Sequence, residues 1–185
     1  MNRFLLTCIW GFVLLLGWDT AARAQQVQAQ QPQGSAQRLS YPPPLLSLAE
    51  ARTIVEGAIA FTREQNLRMA VVVVDHAGNV ISSDRMDGAA LQNIRFAEAK
   101  AFASALYRQS TEEMAALYKT RPDRYFGIIN MYPGKIYLVG GGVPLAVGDQ
   151  IVGGVGVAGL PEGVDEKAGR AGIANWLKRG ENIKK

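Results

Sequence analysis

Few residues in this sequence are of a type that can do chemistry. His76 is the one histidine of the chain, and it follows Asp75 at the end of an apolar run. A neutral imidazole there can ligate iron, an imidazolium can hold a carboxylate, and a solvated turn histidine does neither. Met86 and Met131 offer soft thioethers, although methionine more often fills a core. Tyr125, Tyr132 and Tyr137, among six tyrosines, can stack on a planar ligand or give a phenolate to ferric iron. Lys100 stands in Ala97-Glu98-Ala99-Lys100-Ala101-Phe102-Ala103. Its long stem either carries the charge to water or brings it to a ligand anion. Arg85-Met86-Asp87-Gly88 closes a strand pattern, where a charged pair can line the same cleft. Asp165-Glu166 opens a helix pattern, and acidic residues in a first turn are accounted for by the helix dipole.

Other chemistries are excluded. Gly153-Gly154-Val155-Gly156-Val157-Ala158-Gly159 has neither the Lys-Ser/Thr ending of a phosphate loop nor a strand–turn–helix setting. Glycines alternating with valine instead allow a helix to approach a strand closely. The single cysteine, Cys8, lies in the amino-terminal apolar run, so the folded part has no thiol nucleophile and no Cys-ligated metal. The net charge of +4 is scattered rather than clustered, which argues against a nucleic-acid partner. No nucleophile–base pair and no metal-ligand spacing stands out, which leaves open whether the protein is an enzyme.

The secondary structure around these residues is legible from local patterns. Ser47-Leu48-Ala49-Glu50 reads as a capping box ahead of a helical periodicity in Ala51, Ile54, Val55 and Ala58, ending near Asn66. Met69 to Val74 is an unbroken, largely β-branched run, expected as a strand buried on both faces. Asp75 to Asn79 is a turn, and Val80 to Met86 completes a hairpin. Leu91 to Tyr107, rich in alanine, predicts a helix that can lie close on a sheet. Ser110 to Glu113 is a second capping box, opening a short helix that Pro122 should end. About three strands are expected between Gly127 and Gly159, with Gly148-Asp149 as a two-residue type II′ turn. Asp165 to Leu177 should be the last helix. The expected fold class is α+β: an antiparallel sheet of about five strands with helices packed on its faces.

The amino terminus reads as a targeting segment. Arg3 precedes an apolar run from Phe4 to Trp18, 15 residues long, short of the roughly 18–20 that span a bilayer. Ala22-Arg23-Ala24 then supplies the small residues of a secretory cleavage site. Residues 1–24 are therefore expected to be a signal peptide, cleaved after Ala24, and the mature protein to be periplasmic or secreted without stable membrane insertion. Residues 25–45, rich in Gln and Pro, read as a flexible linker, and the domain is expected over residues 46–180.

Several segments, in order, resemble the GlcG/HbpS-like haem-binding family. They are Leu48-Ala49-Glu50-Ala51, Ala70 to Asp75 with His76-Ala77-Gly78-Asn79, Arg85-Met86-Asp87-Gly88-Ala89 and Ala99-Lys100-Ala101. Gly141-Gly142-Val143-Pro144-Leu145, the glycine–valine tract and the acidic pair Asp165-Glu166 continue the match, which covers Ser47 to Trp176. The resemblance implies a profilin-like fold, homo-oligomers, and haem as cofactor or guest. It brings no uniform iron ligand with it. The ligand site is expected to draw on Asp75, Arg85, Met86, Lys100, Gly142 and Pro144, with Lys100 and Arg85 toward the propionates. His76, or else Met86 or a tyrosine, is the expected axial ligand to haem iron. The chain departs from the family by its single histidine and by the passage Tyr125 to Val139. A rival expectation is a small organic-acid site, with Lys100 and Arg85 gripping a carboxylate and Asp75 as a general base.

Overall fold

The computed structural model describes residues 45–161 and 163–183, with side chains to residue 180. The expected signal peptide and all but the last residue of the expected linker lie outside these residues. Helix α1 (Leu48–Glu64) starts where the capping box places it. The Ser47 hydroxyl accepts from the Glu50 N–H at 3.2 Å, and the Glu50 carboxylate accepts from the Ser47 N–H at 2.9 Å. Strands β1 (Ala70–Asp75) and β2 (Val80–Arg85) form the expected antiparallel hairpin, with Ala70 opposite Arg85 and Val74 opposite Val80. Helix α2 (Asn93–Tyr107) and helix α3 (Thr111–Thr120) follow, the latter opened by the second capping box at Ser110.

The next element departs from expectation. Pro122 opens helix α4 (Pro122–Met131) rather than only ending α3. Proline at the first helical position gives up an N–H that has no partner there in any case. A fifth strand is therefore missing, and the sheet has four: β2-β1-β4-β3, all antiparallel, with β3 (Gly142–Val147) and β4 (Gln150–Ala158). Gly148 turns the β3–β4 hairpin at φ +58 while Asp149 keeps negative φ, as a type II′ turn requires. Helix α5 (Val164–Ile183) closes the fold and is longer than its apolar pattern indicated.

The sheet is covered on both faces. On one, α1 and α5 bury Ile54, Val71, Val73, Val143, Leu145, Val155, Val157 and Trp176. On the other, α2 lays Ala97, Ala101 and Ala105 against Ala70, Val72 and Val74. Strand β4 serves both through its period of two, sending Val155 and Val157 to one side and Gly154 and Gly156 to the other. A Cβ at Gly156 would collide with the Ala97 carbonyl, and one at Gly154 with the Ala101 carbonyl. The glycine–valine tract is thus the seat of α2. Phe102, Ala103, Met114, Tyr125 and Ile136 form a third cluster that holds α3 and α4 to α2.

Candidate functional site

The sequence suggested one crevice; the fold distributes its residues over three places. Asp75 and His76 occupy the β1–β2 turn, where the Asp75 carboxylate accepts from the N–H groups of Ala77 and Asn79 at 2.8 Å each and from the Asn79 amide at 3.0 Å. Burial pushes the Asp75 carboxyl up, but these hydrogen bonds outweigh it and hold it below its usual value. Its capacity is spent on shaping the turn, so it is a poor general base. His76 Nδ1 is buried without a hydrogen-bond partner. A metal-bound histidine is normally oriented by a bond from its second nitrogen, and His76 lacks that support.

Arg85 and Met86 lie at the opposite end of the same hairpin, about 17 Å away by the rise of a strand. They line a cleft of about 860 Å³ between α1 and the end of β2, together with Arg52, Val55, Glu56, Ile59, Arg63, Asn66, Arg68, Asp84 and Asp87. The Arg85 guanidinium is steadied by a hydrogen bond to the Ala89 carbonyl at 2.6 Å. Met86 and Ile59 are half-buried against the core. Arg52, Arg63 and Arg68 are the residues that sequence reasoning missed. Their signal was available: helix spacing puts Arg52, Glu56, Ile59 and Arg63 on neighbouring turns of one face.

Lys100 neither reaches water nor waits for a ligand. It is 2% exposed, and its ammonium donates to the Asp165 carboxylate at 2.6 Å and to the Val157 carbonyl at 2.9 Å. The Tyr137 ring lies below it at 5.9 Å from the centroid. The other Asp165 oxygen accepts from the Leu160 N–H at 2.9 Å. Burial pushes the Asp165 carboxyl up, against the pull of Lys100. Gly141, at φ +124, lets the loop pass over this pair where a Cβ would meet Lys100 Nζ at 3.0 Å. Gly142 is buried against the Lys100 carbonyl and Thr111, and Pro144 stands in edge strand β3. Both are framework rather than lining. A carboxylate gripped by Lys100 and Arg85, with Asp75 as base, would need three groups that the fold keeps apart.

Beside the buried pair lies a second cleft, of about 620 Å³, walled by Glu112, Ala115, Ala116 and Lys119 of α3, the loop Leu138 to Gly140, Leu160, Gly163 and Asp165. Among the described residues no cluster of three His, Cys, Asp or Glu is placed to hold a metal ion. Nor is any described helix long and apolar enough to cross a membrane.

The comparisons with known proteins agree with this architecture. Residues 46–174 match the family described as "Haem degrading protein HbpS-like". An uncharacterized 15.0 kDa protein from the dhaT-dhaS intergenic region of Citrobacter freundii is 30% identical over 114 residues, covering 62% of this chain and 80% of that one. A double mutant of Streptomyces reticuli HbpS superposes with a TM-score of 0.65 at 30% identity, covering 79% of this chain and 97% of that one. PduOC in complex with haem shares the fold, with a TM-score of 0.65 at 23% identity over 71% of this chain and 95% of its own. The four-stranded antiparallel sheet and the five helices of the described residues, with a family match over most of the chain, make this protein a member of the HbpS-like haem-degrading family.

Proposed function

We propose that the protein is an exported haem-binding protein whose guest lies in the cleft between α1 and the end of β2. One observation carries the location: Arg52, Arg63, Arg68 and Arg85 outnumber Glu56, Asp84 and Asp87 around Ile59 and Met86 in a cleft of about 860 Å³, within the roughly 300–1,000 Å³ of small-molecule sites. The donor set fits haem. Guanidinium groups pair with propionates, half-buried aliphatic surface meets the ring, and Met86 is the soft donor among the lining residues. Bound haem would bring the redox chemistry of its iron. The chain's own part is to hold the carboxylates and shield one face of the ring. The family description and the haem complex of PduOC support haem as the guest. Export rests on the amino-terminal sequence, and self-association and the profilin-like likeness rest on the family resemblance.

Titration of the purified protein with hemin tests the reading. A saturable Soret change is expected, weakened in Arg63→Ala and Arg85→Ala, shifted in position by Met86→Leu, and unaltered by His76→Ala. Loss of the band in His76→Ala with both arginine variants unaffected would move the site to the β1–β2 turn. No saturable change at all would end the haem reading.

A further inference from the structure

Helix α5 reaches the edge of the arginine-lined cleft through its last turns, and what it holds there is a carboxylate. Glu56 is an acidic residue of the cleft wall, with Asp84 and Asp87. Its carboxylate accepts from Arg179 Nη2 of α5 at 2.9 Å. The same guanidinium donates through Nη1 to the Thr53 hydroxyl at 3.4 Å. Two more α5 side chains fix this contact in place. Asn175 donates to the Thr53 carbonyl at 2.8 Å, and the Trp176 indole N–H to the Glu50 carboxylate at 3.3 Å. Glu50, Thr53 and Glu56 follow one another at intervals of three on α1, so α5 grips a single side of that helix.

A different partner was within reach of Glu56. Arg52 precedes it by four residues, the spacing at which opposite charges on one helix pair. Among the described residues Arg52 nonetheless has no ion-pair partner, and it stands exposed in the wall of the same cleft. Pairing with Glu56 would neutralise it there. Left free, it presents a planar fork of N–H donors that matches a carboxylate. Arg179 and Glu56 are 56% and 58% exposed, so their pair adds little to stability. Its consequence lies in which arginine is left without a partner.

We propose that Arg179 is a positioning residue for the cleft: by holding Glu56 on the α5 side it leaves Arg52 unpaired, and Arg52 receives a carboxylate of the guest. The cleft then selects guests that carry carboxylates, and the end of α5 sets its affinity for them. The inference rests on the reading of this cleft as the haem site and extends it to a residue outside the lining.

Titration of the full chain and its variants with hemin and with hemin dimethyl ester tests the proposal. Arg179→Gln should weaken hemin about threefold, the scale of an exposed ion pair, because Glu56 turns to Arg52. Glu56→Gln should tighten hemin, and adding Arg179→Gln to it should change nothing further. The ester has no carboxylates and should show none of these differences. A loss from Arg179→Gln that persists without the Glu56 charge would overturn the proposal, since Arg179 would then act through its own charge or through the fold. So would unchanged hemin binding in Arg179→Gln, or the same losses with the ester. A second measurement needs no guest. The Arg52 Nε–H signal in NMR spectra, identified by its loss in Arg52→Lys, should exchange with water more slowly in Arg179→Gln than in the parent or the double variant. Equal exchange in all of them would overturn the proposal as well. If hemin fails to bind the parent, the haem reading falls, and this signal still decides where Glu56 turns.

Discussion

The two clefts of this molecule treat charge in opposite ways. Between α1 and β2, four exposed arginines and three carboxylates, Glu56, Asp84 and Asp87, stand around an open cleft beside half-buried Met86 and Ile59. Between α3 and α5 the charges turn inward: Lys100 is held by Asp165 and Glu166 by Arg170. Surface guanidinium groups cost the fold little and lend themselves to recognition. Buried ions cost desolvation and persist only when their partners are in place. A sequence shows both as isolated charges among apolar residues; burial decides which are structural.

The sharpest way to break this contrast is to remove the charge from the inward side. Lys100→Met should cost about 3–5 kcal/mol, because it leaves Asp165 buried and unpaired, and Lys100→Met with Asp165→Asn should recover much of the loss. Denaturant unfolding reads both; a cost for the single variant below about 1 kcal/mol would make the pair incidental. Gly156→Ala separates the ion pair from the seat beneath it. The added methyl meets the Ala97 carbonyl, and overpacking should cost about 1–3 kcal/mol in the same measurement while the Lys100 pair survives. On the outward side, Arg63→Ala should leave unfolding within about 0.5 kcal/mol and weaken hemin roughly tenfold, about 1.4 kcal/mol. Equal effects on stability and hemin would erase the distinction between the clefts.

The smallest effect is a pH dependence. Glu166 binds its proton more tightly in the folded state than in the unfolded chain, where the usual value is 4.5. Its stabilising contribution is therefore complete below that value and is lost as pH climbs through the raised one. Glu166→Gln removes this decline. The difference in melting temperature, variant minus parent, should be more positive at pH 8 than at pH 4.

Much of the framework was legible because its signals are local. The capping boxes at Ser47 and Ser110, the β-branched run of β1 and the Gly148 turn each depend on neighbours in sequence. Helix α4 is hidden in the sequence by the glycines from Gly127 onward, which favour turns and strands over a helix. Its helical spacing of Tyr125, Ile128, Ile129 and Tyr132 was there to be counted, and these residues pack in the third cluster. The site was harder. Lys100 and Asp165 are 65 residues apart, and no local pattern announces that one neutralises the other. Arg85 and His76 look close in sequence, yet a hairpin sends its two ends in opposite directions. Arg52, Arg63 and Arg68 join Arg85 only through the packing of α1 beside β2.

The borders of the sheet have a consequence for how copies of this protein meet. Strand β2 ends in exposed Asp84 and Arg85, and Pro144 takes one N–H out of β3. Charge on one margin and a missing donor on the other discourage a neighbouring chain from adding a strand. Molecules that collide at high concentration can touch through helices and loops, but they cannot readily prolong the sheet. A protein built this way can be abundant without seeding fibres.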